Sequence, residues 1–260
     1  MTSPSTNGAH PYGCALEGVC ISYAGQPALG PLDLQVPTGQ AVALVGPSGA
    51  GKTSLLRAVA GQLRPGSGRV LLAGRDISGL RRAELPGLAG LMSQRLDLIP
   101  QLSVRHNVQS GALGRWGLAR SLAALLLPLE HPPARAAARR VGLEQLLPRR
   151  VADLSGGELQ RVALARLLVQ DPAVVLADEP VASLDPARAD DLLGMMRATG
   201  REGGRTLIVS LHSPELAVRH FDRVIGLRAG RIVFDLPPSR VTPAELQSLY
   251  ELLDLTPTRP

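Results

Sequence analysis

At 260 residues the chain suits one large domain, with room for subdomains and a substantial buried core. The hydrophobic fraction of 45% is ordinary for a globular protein, and the longest apolar runs, such as 122–129, fall well short of a bilayer span. A net charge of +6 would admit nucleic acid or an anionic membrane, but a general preference for arginine explains it as well. Aromatics at 2% leave little for base stacking, so no nucleic-acid partner is expected.

The first 51 residues carry no Lys or Arg, so a secretory leader is not expected and the cytosol is the expected compartment. Cys14 and Cys20 lack metal-ligand spacing and are expected to be free thiols. Residues 1–12 are polar and punctuated by Pro and Gly, which predicts a disordered tail. Alternation from Ala15 to Tyr23, and again across Leu32, Leu34 and Val36, predicts strands of an antiparallel sheet. Tyr23 has two readings: a ring that stacks on adenine, or a strand-end tyrosine with its hydroxyl in water.

Ala41–Val45 is an apolar run that reads as a buried strand, and it feeds Gly46-Pro47-Ser48-Gly49-Ala50-Gly51-Lys52-Thr53. This stretch fits G-x-x-x-x-G-K-[ST] at every fixed position, and a helix from Thr53 to Ala60 follows, stopped by Gly61. Inward backbone N–H groups and the helix N-terminus make such a loop a polyphosphate site. Lys52 would reach the β- and γ-phosphates, and the Thr53 hydroxyl would sit on Mg²⁺. Lys52 is also the only lysine among 28 Lys and Arg residues. A compact ammonium enters the crowded loop where a planar guanidinium does not.

Gly68 to Ile77 predicts a strand, a Gly turn and a second short strand, and Leu88 to Gln94 another short strand ending in an amide. From Arg95 to about Arg150 the chain turns helical and Arg-rich, with Leu118, Leu122, Leu125, Leu126 and Leu129 at helical spacing until Pro128 interrupts. Arg115, Trp116 and Arg120 there read either as a partner-facing surface or as a solvated face with one partly buried tryptophan.

In Leu154-Ser155-Gly156-Gly157-Glu158, Ser155 and Glu158 form a capping box for a helix running to about Gln170. The two glycines are not needed for a cap; they would let another molecule's phosphate approach the exposed N–H groups, and spacing alone does not decide between these readings. Ala173–Ala177 is a core strand ending in Asp178 and Glu179. Paired carboxylates there suit a cation and a polarised water, Asp178 for Mg²⁺ and Glu179 for the water. Asp185 caps the next helix, with Pro186 at its first position. Thr206–Leu211 is a further buried strand that delivers His212 to the same sheet edge, as a structural residue or a γ-phosphate contact. Short strands over 223–227 and 231–235 flank a Gly230 turn, and a capping box at Thr242 opens a terminal helix to about Leu253.

Taken together, GPSGAGKT, Gln94, LSGGE, VVLADE, SLD at 183–185 and His212 resemble the ATP-binding-cassette ATPases in motif and order over roughly 15–255. The resemblance implies an α/β fold: a RecA-like, mostly parallel core sheet, an N-terminal antiparallel β subdomain, and a helical subdomain inserted at about 95–170. It implies a head-to-tail homodimer that holds two ATP molecules. In each site Gly46 to Thr53 and Ser54, with Tyr23 beside them, would bind nucleotide. Thr53, Gln94 and Asp178 would hold Mg²⁺, and Glu179, His212, Gln94 and Lys52 would act in hydrolysis. Ser155, Gly156, Gly157 and Glu158 of the other chain would close the site, with Asp185 nearby.

It further implies transmembrane permease partners, a solute-binding protein acting through them, and a peripheral place on the cytoplasmic face of the membrane. Three stretches, 97–115, 177–186 and 210–235, look most like the ATPases of phosphonate importers. A cassette ATPase that moves no solute is the alternative, but such proteins usually carry two cassettes or long coiled coils, and no heptad stretch appears. A P-loop kinase leaves LSGGE unexplained.

Overall fold

The computed structural model describes residues 10–116 and 131–250. The expected tail over 1–9, the leucine pattern at 118–129 with Arg120, and the end of the terminal helix past 250 lie outside the described residues.

The chain opens with a long hairpin, β1 (Tyr12–Tyr23) and β2 (Gln26–Pro37). Tyr12 is already paired opposite Pro37, so order begins earlier than the composition of the first twelve residues suggests. After β3 (Ala41–Val45) crosses to a second sheet, the chain returns as β4 (Ser67–Leu72) and β5 (Arg75–Asp76). These complete a four-stranded antiparallel sheet in the order β2-β1-β4-β5.

The second sheet adds β6 (Ala89–Met92), β7 (Val174–Asp178), β8 (Thr206–Leu211), β9 (Arg223–Arg228) and β10 (Arg231–Leu236). Its order is β10-β9-β3-β8-β7-β6, parallel except for β10 at the edge. β3, β7 and β8 are buried along their whole length, as continuous apolar runs in a covered parallel sheet should be.

Strand alternation divides the core in two. On one face Val42, Leu44, Leu176 and Ile208 meet Leu55, Leu56 and Val59 of α1 (Lys52–Val59) together with Leu16, Ile21 and Leu34 of the antiparallel sheet. The helix is thus packed between two sheets, and each fully buried Leu or Val there contributes about 1.5–3 kcal/mol. Leu85–Leu88, a single turn (α2), precedes β6.

On the other face Ala43, Val45, Ala177 and Val209 share a core with the remaining helices. These are α3 (Val104–Gln109), α4 (Pro132–Arg140), α5 (Gly156–Gln170), α6 (Pro186–Glu202) and α7 (Pro214–His220). Side-chain oxygens cap three of them: Ser103 accepts from the His106 N–H, Asp185 from Arg188 and Ser213 from Leu216. The last described helix is α8 (Pro243–Tyr250). Arg115 and Trp116 are engaged with their own chain: Arg115 pairs with Asp171 at 4.0 Å, and the Trp116 ring packs partly buried against the core. Among the described residues no helix is long and apolar enough to cross a membrane.

Candidate functional site

Four parallel strands deliver the site. β3 ends at Val45 and the loop 46–51 turns back into α1, while β6, β7 and β8 end nearby with Gln94, Asp178–Glu179 and His212 just beyond them. Ligands of open α/β sheets bind at this carboxyl edge.

Two loop glycines are demanded by their own chain. Gly46 has φ 150°, and a Cβ there would lie 2.0 Å from the Leu227 carbonyl oxygen. Gly51 has φ 101°, and a Cβ would meet Leu29 Cδ2 at 2.6 Å and the Ala28 carbonyl oxygen at 2.7 Å. The loop therefore lies tight against the end of β9 and the start of β2. A further hydrogen bond from the Gly230 N–H to the Ala50 carbonyl, 3.0 Å, buttresses it.

Lys52 is only 5% exposed, and its Nζ donates to the carbonyl oxygens of Gly46 at 2.7 Å and Pro47 at 3.1 Å. Burial pushes its ammonium below the usual lysine range, while the charges of Glu179 and Asp178 act in the opposite direction. One cation and two carboxylates thus share a single field. Tyr23, 45% exposed at the end of β1, is tied to the same helix: its hydroxyl lies 3.4 Å from Ser54 Oγ. The hydroxyl is therefore not simply in water.

The carboxylates are organised by a residue that sequence reasoning passed over. Ser210 on β8 is fully buried; its hydroxyl donates to Asp178 Oδ1 at 2.7 Å and accepts the Glu179 backbone N–H at 2.9 Å. One side chain fixes both acids. Its only signal in the sequence is a serine in an otherwise apolar strand. Glu179 has φ 50°, a left-handed conformation costing a non-glycine residue roughly 1–2 kcal/mol. In that conformation one carboxylate oxygen lies 2.6 Å from His212 Nε2, and the other accepts from Gln94 Nε2 at 3.4 Å. Gln94, Asp178, Glu179 and His212 are thus brought together with Lys52, as the sequence suggests.

The LSGGE residues, Leu154 to Glu158, form a signature turn that stands apart. Ser155 caps α5, and the Glu158 carboxylate accepts from its backbone N–H at 2.8 Å and its hydroxyl at 2.6 Å. Those two bonds hold the Glu158 carboxyl below the usual range. The groove beside them is lined by Arg161, Leu184, Arg188 and Leu192, none from the phosphate loop. A Cβ at Gly156 would meet nothing within 4 Å, and one at Gly157 only ordinary contacts at 3.6 and 3.7 Å. Asp185 caps α6 at the same end and pairs with Arg188 at 3.3 Å.

A buried ammonium in a backbone-lined loop next to a carboxylate held between an imidazole and an amide can bind a polyphosphate and polarise a water. Thr53, Gln94 and Asp178 offer oxygen donors of the kind a hard divalent cation takes alongside phosphate oxygens. Among the described residues no set of three His, Cys, Asp or Glu side chains forms a metal cage without such phosphate oxygens.

Comparison with known proteins agrees with this geometry. A family model described as ABC transporter matches residues 29–182. The chain is 47% identical over 240 residues to the phosphonates import ATP-binding protein PhnC 2 of Pseudomonas aeruginosa (strain UCBPP-PA14), covering 91% of this chain and 90% of that one. Among solved structures it superposes on cbiO1 of Clostridium perfringens, part of the transporter complex cbiONQ. The TM-score is 0.76 at 27% identity, covering 88% of this chain and 90% of that one. It also matches a dimeric bacterial ABC transporter cassette with a TM-score of 0.75 at 26% identity, covering 86% of this chain and 98% of that one. With these likenesses added to the phosphate loop, the paired acids and the signature turn, the chain belongs to the ABC transporter family as an ATP-binding, ATP-hydrolysing subunit.

Proposed function

We propose that two copies of the chain close head to tail around two ATP molecules, and that this cycle drives a permease importing a phosphonate or a related phosphorus oxyanion. The observation that carries the composite site is the signature turn. Among the described residues nothing approaches Gly156 closely enough to require a glycine, at the N-terminus of α5. A second molecule's γ-phosphate supplies the reason, because bare N–H groups and the helix dipole favour an anion there.

Within each site the loop from Gly46 to Thr53 holds the phosphates and Lys52 neutralises them. Glu179 orients a water for in-line attack on the γ-phosphorus and accepts its proton; the P–O bond to the β-phosphate breaks, releasing ADP and phosphate. His212 and Gln94 hold the Glu179 carboxylate from either side. Thr53, Asp178 and Gln94 would hold Mg²⁺, which when bound would supply charge neutralisation on the phosphate oxygens. Tyr23 lies beside Ser54, where its exposed ring reaches the nucleoside.

The helical segments within 95–116 and 131–170 form the permease-facing lobe, so the subunit sits peripherally on the cytoplasmic side of the membrane. A nucleotide site serves any cargo, but the surface that follows Gln94 must fit one permease and so carries partner identity. Similarity to an import protein whose name specifies phosphonates supports that cargo. Reconstituted transporter with its cognate binding protein should show ATPase stimulation by a phosphonate or phosphite, and Glu179→Gln should bind ATP yet not turn over. Stimulation by an amino acid or a metal ion alone would overturn the cargo while leaving the ATPase standing.

A further inference from the structure

Among the described residues, one side chain of α5 bonds the backbone of the turn that carries Gln94. Leu96 and Asp97 are consecutive non-glycine residues at left-handed φ, 59° and 47°. Such a pair persists only where its surroundings over-determine it. The local bonds are short ones within the turn: Leu96 N–H to Ser93 O at 3.0 Å, Asp97 N–H to Arg95 O at 2.7 Å, and Ser93 Oγ donating to the Asp97 carboxylate at 2.5 Å. The long-range tie is Arg166. Its two terminal nitrogens donate to the carbonyl oxygens of Leu96 and Asp97, both at 2.6 Å. A planar guanidinium takes two adjacent carbonyls with two separate nitrogens in a fixed fork; an ammonium must serve both from one nitrogen.

Arg166 lies ten residues along α5 from Gly156, about 15 Å on a rigid rod at 1.5 Å per residue. The same helix anchors the approach to β6, where Gln170 Nε2 donates to the carbonyl oxygens of Pro86 at 2.9 Å and Ala89 at 3.0 Å. Its N-terminus is the signature turn, and its middle grips the segment that places Gln94 against Glu179.

We infer that Arg166 is a positioning residue that makes the turn 93–97 and the signature helix one moving body, so that seating α5 on a partner's phosphate and setting Gln94 against Glu179 are a single event. This rests on the composite-site reading above. In that arrangement each phosphate site is read twice: directly by its own loop, and through the α5 of the facing chain by that chain's own Gln94. Cooperativity between the two sites follows from the same link.

The test is a double-mutant cycle in the full chain. Arg166→Lys keeps the charge and stem but not the fork. It should leave ATP affinity unchanged, lower kcat roughly ten- to a hundredfold, as remote misplacement of a reacting geometry does, and reduce the Hill coefficient for ATP. In a Gln94→Ala background the same change should cost nothing further, because Arg166 acts through that side chain. Additive losses, or parental kcat and Hill coefficient in Arg166→Lys, overturn the inference. Glu179→Gln run alongside separates the two readings, since an ATP-trapped dimer there with an unaffected Arg166→Lys sinks only the coupling. Hydrogen exchange needs no change at Arg166: when Glu179→Gln is trapped with ATP, amides 93–97 and 156–159 should slow together. Slowing confined to 156–159 also overturns the inference.

Discussion

The phosphate loop and the signature turn both place glycines at a helix N-terminus, yet their surroundings are opposite. Around the loop every requirement is met inside the chain: Gly46 and Gly51 are pressed against the Leu227 and Ala28 carbonyls, and Lys52 is buried with its ammonium bonded to the loop. Around the signature turn Gly156 faces open space, Gly157 has room for a Cβ at ordinary contact distance, and the capping box is complete without them. A residue whose identity its own fold does not explain points to a contact outside the fold. On the proposed shared site, the difference separates the half that a monomer builds from the half that it offers to a second copy.

The sharpest way to break this contrast is to add one methyl group to each half. Gly46→Ala should destabilise the fold by about 3 kcal/mol or more, through the carbonyl clash and a backbone region reserved for glycine. Gly156→Ala should leave the unfolding free energy within about 0.5 kcal/mol of the parent, as substitutions without a packing role do. Its ATP hydrolysis should nevertheless fall by about a hundredfold, the scale of a misplaced reacting geometry. Thermal unfolding and turnover measured on both variants decide the matter. Equal effects of the two on stability would erase the distinction.

A smaller effect tests how completely the monomer's half is organised. Ser210→Ala strips the donor from buried Asp178 and the acceptor from the Glu179 N–H, at about 1–3 kcal/mol per unsatisfied group. Chemical denaturation should register that loss, and turnover should drop while ATP affinity holds, because the loop itself is untouched. The smallest effect lies outside both halves. The guanidinium of Arg139, then that of Arg135, holds the exposed Glu144 carboxyl down to about 2 from its ordinary 4.5. A depressed carboxyl stabilises above its ordinary pKa and loses that contribution as pH falls through the folded one. The difference between parent and Glu144→Gln should therefore be slight near neutrality and vanish as pH falls from 4.5 toward 2, with turnover unchanged throughout.

Much of this architecture is legible in the chain itself, for reasons that are local. Strand bounds at β3, β7 and β8 are visible because a fully covered parallel strand is apolar at every position. The hairpins close on Ala24-Gly25, Ala73-Gly74 and Ala229-Gly230, the same pair three times and each with both residues at positive φ; the sequence reading names a turn at the last two and misses the first. The positions of Lys52, Asp178, Glu179 and His212 follow from motif and sheet edge.

What stays hidden depends on contacts distant in sequence. Ser210 reads as one polar residue in a strand until β8 is set beside β7. Arg166 reads as one more arginine on a helix, because its partners are carbonyls some seventy residues earlier and carry no side-chain signature. The left-handed backbone of Glu179 leaves no mark on composition at all.

The central claim, that each site is shared between two chains, is tested most directly by mixing two inactive ones. Ser155→Arg places a bulky cation where the facing chain's phosphate would lie, and Lys52→Ala empties the loop of its only ammonium; neither chain alone can form a complete site. Mixed, they should regain ATP hydrolysis, because the intact loop of the first meets the intact signature of the second. A mixture as inert as its components, or parental turnover by Ser155→Arg alone, would contradict the shared site.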